Sequence, residues 1–269
     1  MNPESYLDPG ALTALSPEQE RFVNDLPCEP AELCRAAQGL LVLPPSSSGA
    51  DLSDRRLNER NLRPARAIFE AVLQRDDRPL SSPRALKDRV TGTCRHFAVL
   101  SCAFLRARNI SARARCGFAT YFQPGLALDH WITEYWNDTD RRWTRIDSEI
   151  LDLDLIDKPH DLVSGQFVTG PEAWNEYRRG ADPSTFGVDG TDNWGPGEII
   201  GNSIRDLASL NRVEMLPWDE WGPMRDCYDG TIALWVEQLM DDFAAATLNN
   251  EDGLAELYAR VEVPPHMIG

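Results

Sequence analysis

The sequence has few basic side chains and little histidine. Lysine and arginine together number 27 against 43 aspartates and glutamates, and with 4 histidines the formal net charge is −16. Binding of nucleic acid or of anionic lipid requires clustered positive charge. The composition therefore argues against both kinds of partner. It mildly favours a cationic or amine-bearing partner, but solubility is the preferred explanation of the acidic charge.

Long apolar runs are absent as well. No stretch approaches the roughly 18 consecutive apolar residues of a membrane-spanning helix. The first residues, Met1–Ser5, lack the basic region and apolar run of a secretory signal. We therefore expect a cytoplasmic protein that does not enter the membrane.

Metal and nucleotide motifs are missing too. The six cysteines are scattered, with no C-x-x-C pair and no cysteine–histidine spacing typical of zinc sites. The acidic runs lack the spacing of a calcium loop, and no glycine-rich phosphate loop occurs. We expect reduced thiols, most of them buried, and neither a metal nor another cofactor. The cysteines are Cys28, Cys34, Cys94, Cys102, Cys116 and Cys227.

Residues 1–80 show mainly helical patterns, whereas the part after residue 161 is expected to consist of ordered loops and two helices. Ser16 followed by proline is typical of a helix start, and the apolar spacing of residues 64–74 predicts another helix. Residues 44–49 predict a loop. From residue 161 onward the chain is rich in glycine, proline and tryptophan, with helices expected near 204–210 and 231–247.

A buried helix is predicted over Thr93–Arg108. Apolar side chains recur on a wide face, and Thr93 is a suitable N-cap. Asn109 can adopt the left-handed conformation that ends a helix. Cys94 then falls at the N-terminus, where unpaired N–H groups and the helix dipole stabilise a thiolate. His96 lies two residues further along and on another face, so we interpret it as structural.

Three strands are predicted next, over residues 111–122, 130–136 and 142–146. The turn-forming residues 137–140 join the last two into a hairpin. If these four form the loop, Trp136 pairs with Arg141, and His130 faces Asp147 directly across the hairpin. A shift of two residues would still leave them diagonal neighbours on one face.

This pairing predicts an activated thiol. A carboxylate beside an imidazole fixes the ring tautomer and stabilises the imidazolium. Cysteine, histidine and aspartate are then nucleophile, base and orienting acid. Asp129 is a distant alternative for the acid, since adjacent strand residues face opposite ways. Glu134 is expected to form an ion pair with Arg145 rather than to contact a substrate.

Four segments together resemble the transglutaminase-like domain of the papain-fold superfamily. That family has a G-x-C helix start, an R-x-G-I-P-A-R helix exit, an H-x-W-x-E strand and a W-x-x-x-D strand. The corresponding segments here are Gly92–Cys94, Leu105–Arg113, His130–Tyr135 and Arg142–Asp147. In this resemblance Cys94 matches the nucleophile, His130 the base and Asp147 the orienting acid.

Four positions depart from the family pattern. Asn109 replaces the usual glycine, Ser111 replaces proline, Trp131 follows His130 without an intervening residue, and Ser148 stands where proline is frequent. The resemblance implies an α+β fold in which the helix carrying the cysteine packs on an antiparallel sheet carrying the histidine and the aspartate. Helical extensions at both ends would complete it, and the expected parts are residues 1–81, the core 82–160 and the extension 161–269.

The resemblance also implies chemistry. The thiolate would attack an amide or other acyl group, and water or an amine would release the resulting thioester. The substrate could be a peptide or an amine-containing molecule. The alternative is a module without catalysis that binds a peptide or protein partner, and a metal-dependent enzyme is a third interpretation. Trp131, Trp194 and Trp218 are candidate substrate contacts, with core packing as the competing explanation.

Overall fold

The computed structural model describes residues 2–44, 54–248 and 252–268. Most of the predicted loop over 44–49 therefore lies outside the described residues. The helices are α1 (Pro17–Asn24), α2 (Pro30–Gln38), α3 (Asp54–Leu57), α4 (Ala65–Leu73), α5 (Cys94–Ala107), α6 (Gly170–Arg178), α7 (Pro196–Leu210), α8 (Met224–Tyr228), α9 (Leu234–Leu248), α10 (Leu254–Tyr258) and α11 (Pro265–Ile268). Single 3₁₀ turns cover Pro3–Tyr6, Asn58–Asn61, Leu86–Asp88 and Pro183–Thr185.

In the described part of the chain the strands form two sheets. They are β1 (Leu41–Val42), β2 (Val90–Thr91), β3 (Ala112–Ala119), β4 (Ala127–Asn137), β5 (Arg142–Ile146), β6 (Phe167–Thr169) and β7 (Phe186–Gly187). β1 and β2 pair in parallel. The larger sheet has the order β5-β4-β3-β6, with β7 pairing to the start of β4. The β4–β5 and β3–β6 pairs are antiparallel, whereas β7 joins β4 in parallel.

The chain divides into two compact units. The first unit comprises Asn2–Ala114 and Ile132–Leu162, and the second comprises Arg115–Trp131 and Val163–Gly269. The boundaries expected from the sequence stay a prediction. Among the described residues, no helix is long and apolar enough to cross a membrane.

In the first unit α5 is the central helix. Nearly all of its side chains are buried, and α1, α2 and α4 pack against it. Phe69 of α4 and Phe104 of α5 meet edge to face, with ring centroids 5.7 Å apart. Each fully buried side chain of this size stabilises the unit by about 1.5–3 kcal/mol. This packing fixes the axis of the helix that begins with Cys94.

In the second unit α7 is the central helix, and it is buried along its whole length. It packs against α6, α8 and the strands β6 and β7. Its N-terminus follows Gly195, whose positive φ of 87° suits glycine. The predicted helix over 204–210 is confirmed, but it begins eight residues earlier, at Pro196. The predicted helix over 231–247 is α9.

Candidate functional site

Cys94 is the first residue of α5, as the sequence predicted. Thr93 precedes it in an extended conformation and is the N-cap. Two N–H groups of the first turn, those of His96 and Phe97, donate to the Thr93 carbonyl at 2.8 and 3.4 Å. The Cys94 side chain is half-buried at this helix N-terminus, where the partial positive charge of the helix favours an anion.

The segment before Cys94 is held on both sides. Val90 and Thr91 pair in parallel with β1, and the N–H of Gly92 donates to the Val42 carbonyl at 2.9 Å. The N–H of Thr91 donates to Glu59 at 2.8 Å, and Glu59 forms an ion pair with Arg75. The position of the cysteine is therefore fixed by backbone pairing as well as by the helix.

His96 has a structural role in the cap. The Thr93 N–H donates to its Nδ1 at 3.1 Å, so this ring nitrogen is an acceptor. Burial, together with the neighbouring Arg95, lowers the pKa of His96 to about 3. The ring is fully buried. It therefore stays neutral and engaged with the backbone, in agreement with the prediction that it is not the base.

Gly92 is required by this packing. A Cβ at this position would lie 2.8 Å from Cβ of His96 and 3.1 Å from its Cγ. Both atoms belong to the base of a buried side chain and have little freedom to move. The G-x-C spacing thus has a local physical cause, because the glycine makes room for the histidine that caps the cysteine helix.

The other five thiols differ from Cys94. Cys28 is exposed, and the Arg108 guanidinium contacts its sulfur. The remaining four are buried, which confirms the expectation for most cysteines. Burial raises the pKa of Cys34 to about 12 and that of Cys227 to about 11. The buried cysteines are Cys34, Cys102, Cys116 and Cys227.

Asp147 follows the last residue of β5 and is fully buried. Its N–H donates to the Pro159 carbonyl at 2.9 Å. Its Oδ1 accepts the N–H of Glu149 at 3.0 Å. The carboxylate is thus held by the turn that ends the strand, in the same unit as Cys94.

His130 belongs to β4 within the second unit and is 2% exposed. Two aromatic side chains from the β3–β4 connection contact its ring. The Phe122 centroid lies 5.0 Å away with the planes at 76°, and the Tyr121 centroid lies 6.3 Å away with the planes at 84°. Sequence reasoning did not find these contacts, although both rings lie at the end of the strand predicted over residues 111–122, which in the structure ends at Ala119.

The predicted hairpin is present, but its register was wrong by two residues. Trp136 pairs with Trp143 and not with Arg141. The loop is shifted by one position, because Asn137 pairs with Arg142 and Arg141 adopts a positive φ of 52° in the turn. The Asn137 side chain accepts N–H groups of Thr139 and Asp140, which stabilises this turn.

The expected ion pair of Glu134 is confirmed. Its Oε1 accepts from Arg145 at 3.0 Å, and its Oε2 accepts from Arg113 at 2.7 Å. The Arg113 guanidinium also lies over the Trp143 ring, 4.1 Å from the centroid. Glu134 is therefore part of a buried structural network that joins three strands.

The three candidate tryptophans lie in different surroundings. Trp131 is 1% exposed and Trp218 is 44% exposed. Trp194 is half-buried and packs against Gly187. A Cβ added at Gly187 would lie 2.1 Å from the Trp194 ring. Its indole N–H donates to the Thr191 carbonyl at 3.0 Å. The burial of Trp131 leaves its ring almost no surface for a substrate, whereas contacts by Trp194 and Trp218 stay predictions.

A buried polar cluster on α7 was missed by the sequence reasoning. Asp206 accepts two bonds from Arg115, at 2.9 and 2.7 Å. Asn202 donates to the Gly117 carbonyl at 3.1 Å, so both side chains attach α7 to β3. The i, i+4 spacing of such residues could have been noticed, but an isolated polar spacing is more typical of a solvated face.

The alternative acid, Asp129, belongs to this cluster. Burial raises its pKa, although Arg205 and a hydrogen bond with Asn202 oppose the shift. Arg205 lies 3.6 Å from Glu198 and donates to the Tyr228 hydroxyl at 3.1 Å. Asp129 is thus engaged with Arg205 and Asn202 inside the second unit.

A half-buried thiol at the N-terminus of a central helix, followed in the chain by a mainly antiparallel sheet, defines a core of the α+β class. Residues 58–148, about a third of the chain, match the family model of the transglutaminase-like superfamily. This segment is transglutaminase-like, and it includes Cys94, His130 and Asp147.

The chain is also similar to a protein of known structure. A candidate cysteine protease from Cytophaga hutchinsonii, known from its crystal structure, is similar at 16% sequence identity and a TM-score of 0.35. The aligned part covers 59% of this chain and 44% of that protein, so less than half of the latter is spanned. No curated protein matches the sequence.

Proposed function

We propose that the chain is a cysteine-nucleophile enzyme that transfers or hydrolyses acyl groups. The Cys94 thiolate attacks the carbonyl carbon of an amide or other acyl substrate, and a C–S bond forms as the leaving group departs with a proton. Water or an amine then attacks the thioester and frees the thiol. His130 moves the proton, and Asp147 orients the imidazole.

One observation carries this proposal: the half-buried thiol at the start of α5, inside the residues that match the transglutaminase-like superfamily. Backbone N–H groups of the first helical turn suit the stabilisation of an oxyanion, because they are dipoles fixed before the reaction begins. The rigid support of Thr93 and Gly92 keeps the sulfur at this helix end.

Strand geometry supports the roles of the other two residues. Alternation along β4 puts His130 on the same side as Ile132 and Glu134. The observed ladder ends at the pair of Thr133 with Ile146, and its continuation would set Asp147 opposite Ile132. The pairing of the His130 imidazole with the Asp147 carboxylate is part of the proposal, and the Asp147→Asn variant tests it.

We propose an amide- or acyl-bearing substrate such as a peptide or an amine-containing molecule, and neither nucleic acid nor membrane as a partner. The cytoplasm, where thiols stay reduced, is the compartment that suits a thiolate nucleophile. Neither the chemistry nor the roles of the side chains require a metal or another cofactor.

Site-resolved alkylation tests the nucleophile. At pH 7, iodoacetamide should modify Cys94 at least about ten times faster than Cys28, because a stabilised thiolate reacts and a thiol does not. Mass spectrometry of each cysteine peptide gives the six rates in one sample. Cys28 is the matched internal control, since it is exposed and contacts an arginine.

The same assay tests the base and the acid. His130→Ala and Asp147→Asn should each slow modification of Cys94 and leave Cys28 unchanged. Equal rates at Cys94 and Cys28 in the unmodified chain would contradict the proposal and favour a binding module without catalysis. Loss of activity on addition of a chelator would favour the metal-dependent interpretation instead.

Trapping identifies the substrate class. Cell extract incubated with the protein should leave a thioester on Cys94, whose mass gives the acyl group. The Cys94→Ser variant, which forms an oxygen ester slowly or not at all, is the control. Addition of a free amine distinguishes transfer from hydrolysis by the product that is released.

A further inference from the structure

The connection between β3 and β4, residues 120–126, is a fixed loop in the second unit. Thr120 anchors its start, since its N–H donates to the Gln166 carbonyl at 3.0 Å and its hydroxyl to the Gly165 carbonyl at 2.7 Å. At its end the Leu126 N–H donates to the Gln123 carbonyl at 3.2 Å. Proline followed by Gly125, with φ of 81°, is typical of a type II turn.

The loop presents two aromatic rings beside His130. Tyr121 and Phe122 contact each other at 4.9 Å and both contact the imidazole. His130 is buried, whereas the two aromatic side chains are half-buried. Both rings therefore contribute to the surroundings of the imidazole, and both residues keep part of their surface accessible to solvent.

The loop carries no charge at neutral pH. Its seven residues are Thr-Tyr-Phe-Gln-Pro-Gly-Leu, in a chain of which 26% is charged. A charged group placed against this loop would be desolvated without gaining an ion pair. An aromatic or large apolar group would gain both burial of its surface and ring contacts.

We propose that Tyr121 and Phe122 form an acyl-binding subsite that selects donors with an aromatic or large apolar group beside the reacting carbonyl. This inference rests on the proposed function, because it takes His130 as the base and Cys94 as the nucleophile. The rings determine which acyl group is accepted, and they take no part in bond formation.

Activated esters test the subsite on the acyl side. The Cys94 sulfur attacks the ester carbonyl of 4-nitrophenyl acetate or 4-nitrophenyl phenylacetate, the C–S bond forms, and 4-nitrophenolate leaves. Its absorbance gives the acylation rate of the full chain, after subtraction of the rate for Cys94→Ser. Selectivity is the acylation rate with the phenylacetate ester divided by the rate with the acetate ester. This rate ratio is then divided by the same ratio for N-acetylcysteine, which corrects for the intrinsic reactivity of the two esters.

We expect the selectivity ratio to favour the phenylacetate ester. Phe122→Leu and Tyr121→Leu should each reduce this ratio about twofold to tenfold, which corresponds to the free energy of one aromatic contact. Leucine retains apolar volume, and an unchanged circular dichroism spectrum shows that the variant is folded. Trp235→Leu is the matched control, since Trp235 is an aromatic side chain of the same unit that is 46% exposed. Its ratio should equal that of the unmodified chain.

The outcomes separate the two proposals. Equal ratios in all variants, with Cys94 still faster than Cys28 towards iodoacetamide, would overturn the subsite and leave the proposed function intact. A slow Cys94 would contradict the proposed function, yet the ester ratio at that sulfur would still measure the subsite. Preference for the acetate ester in the unmodified chain would overturn the subsite directly.

Discussion

At the scale of single residues, the surroundings of Cys94 depend on a glycine and a histidine. His96 was interpreted from the sequence as structural because of its place on the helix. The structure gives the reason, since its Nδ1 accepts the Thr93 N–H and its base occupies the space that a Gly92 side chain would need. Two residues with no part in bond chemistry thus set the position of the thiol.

Gly92→Ala should therefore damage the site. The new Cβ would overlap the base of His96, and overpacking of this kind costs about 1–3 kcal/mol. We expect a lower denaturant midpoint and slower alkylation of Cys94. Gly39→Ala is the matched control, because its Cβ would meet only ordinary contacts at 3.5 and 3.6 Å. Equal stability of the two variants would show that the cap adapts to the methyl group.

At the scale of elements, the two strands of the hairpin were predicted from the sequence, but their register was not. Strand propensity and turn residues located β4 and β5 to within a few residues. The register was wrong because the turn uses Arg141 with a positive φ, which few residues other than glycine and asparagine adopt. Sequence alone gives no reason to expect arginine there.

The buried Glu198 of α7 leads us to expect that stability depends on pH. Burial raises the pKa of Glu198 to about 8; Arg205 opposes the shift, whereas Asp129 adds to it. Because the folded pKa lies above the unfolded one, the stability that this group contributes is complete below about pH 4.3 and is lost as the pH rises through about 8. The second unit should therefore weaken across this window.

Glu198→Gln should flatten that dependence. The amide has similar shape and carries no charge at any pH, so the fall in Tm between pH 5.5 and pH 8.5 should shrink. Each unit of pKa corresponds to about 1.4 kcal/mol, so the effect should be measurable by calorimetry. Glu256→Gln, at an exposed position of α10, is the control and should leave the dependence unchanged. A steep dependence that survives in Glu198→Gln would locate the titrating group elsewhere.

At the scale of the whole molecule, the net charge of −16 is the dominant feature. A field of one sign raises the local concentration of ions of the opposite sign. The range of this field shortens as salt is added, because the Debye length falls from about 30 Å at 0.01 M to about 8 Å at 0.15 M. The approach of charged reagents to Cys94 should therefore depend on ionic strength.

Paired methanethiosulfonates measure this effect. The trimethylammonioethyl reagent should gain rate at Cys94 relative to the sulfonatoethyl reagent at low salt, and their ratio should fall as salt is added. The neutral methyl reagent is the control and should not respond to salt. A ratio that rises with salt would mean that local arginines, rather than the net charge, dominate the field at the thiol.

The sequence by itself determined the cysteine helix, its cap and its end, the two hairpin strands and the nature of the Glu134 ion pair. These features depend on neighbours within a few residues, so local propensity and periodicity suffice to predict them. Asn109 illustrates this, since its predicted left-handed conformation is observed with φ of 58°.

Only the tertiary structure decided the rest. The link of Asp206 to Arg115 joins segments far apart in the chain, and the extension of α7 follows from its packing on neighbouring elements. The contact of Tyr121 and Phe122 with His130 depends on the conformation of the loop between β3 and β4. No local pattern records such pairs, because what fixes them is the packing of buried surfaces and the need of each buried polar group for a partner.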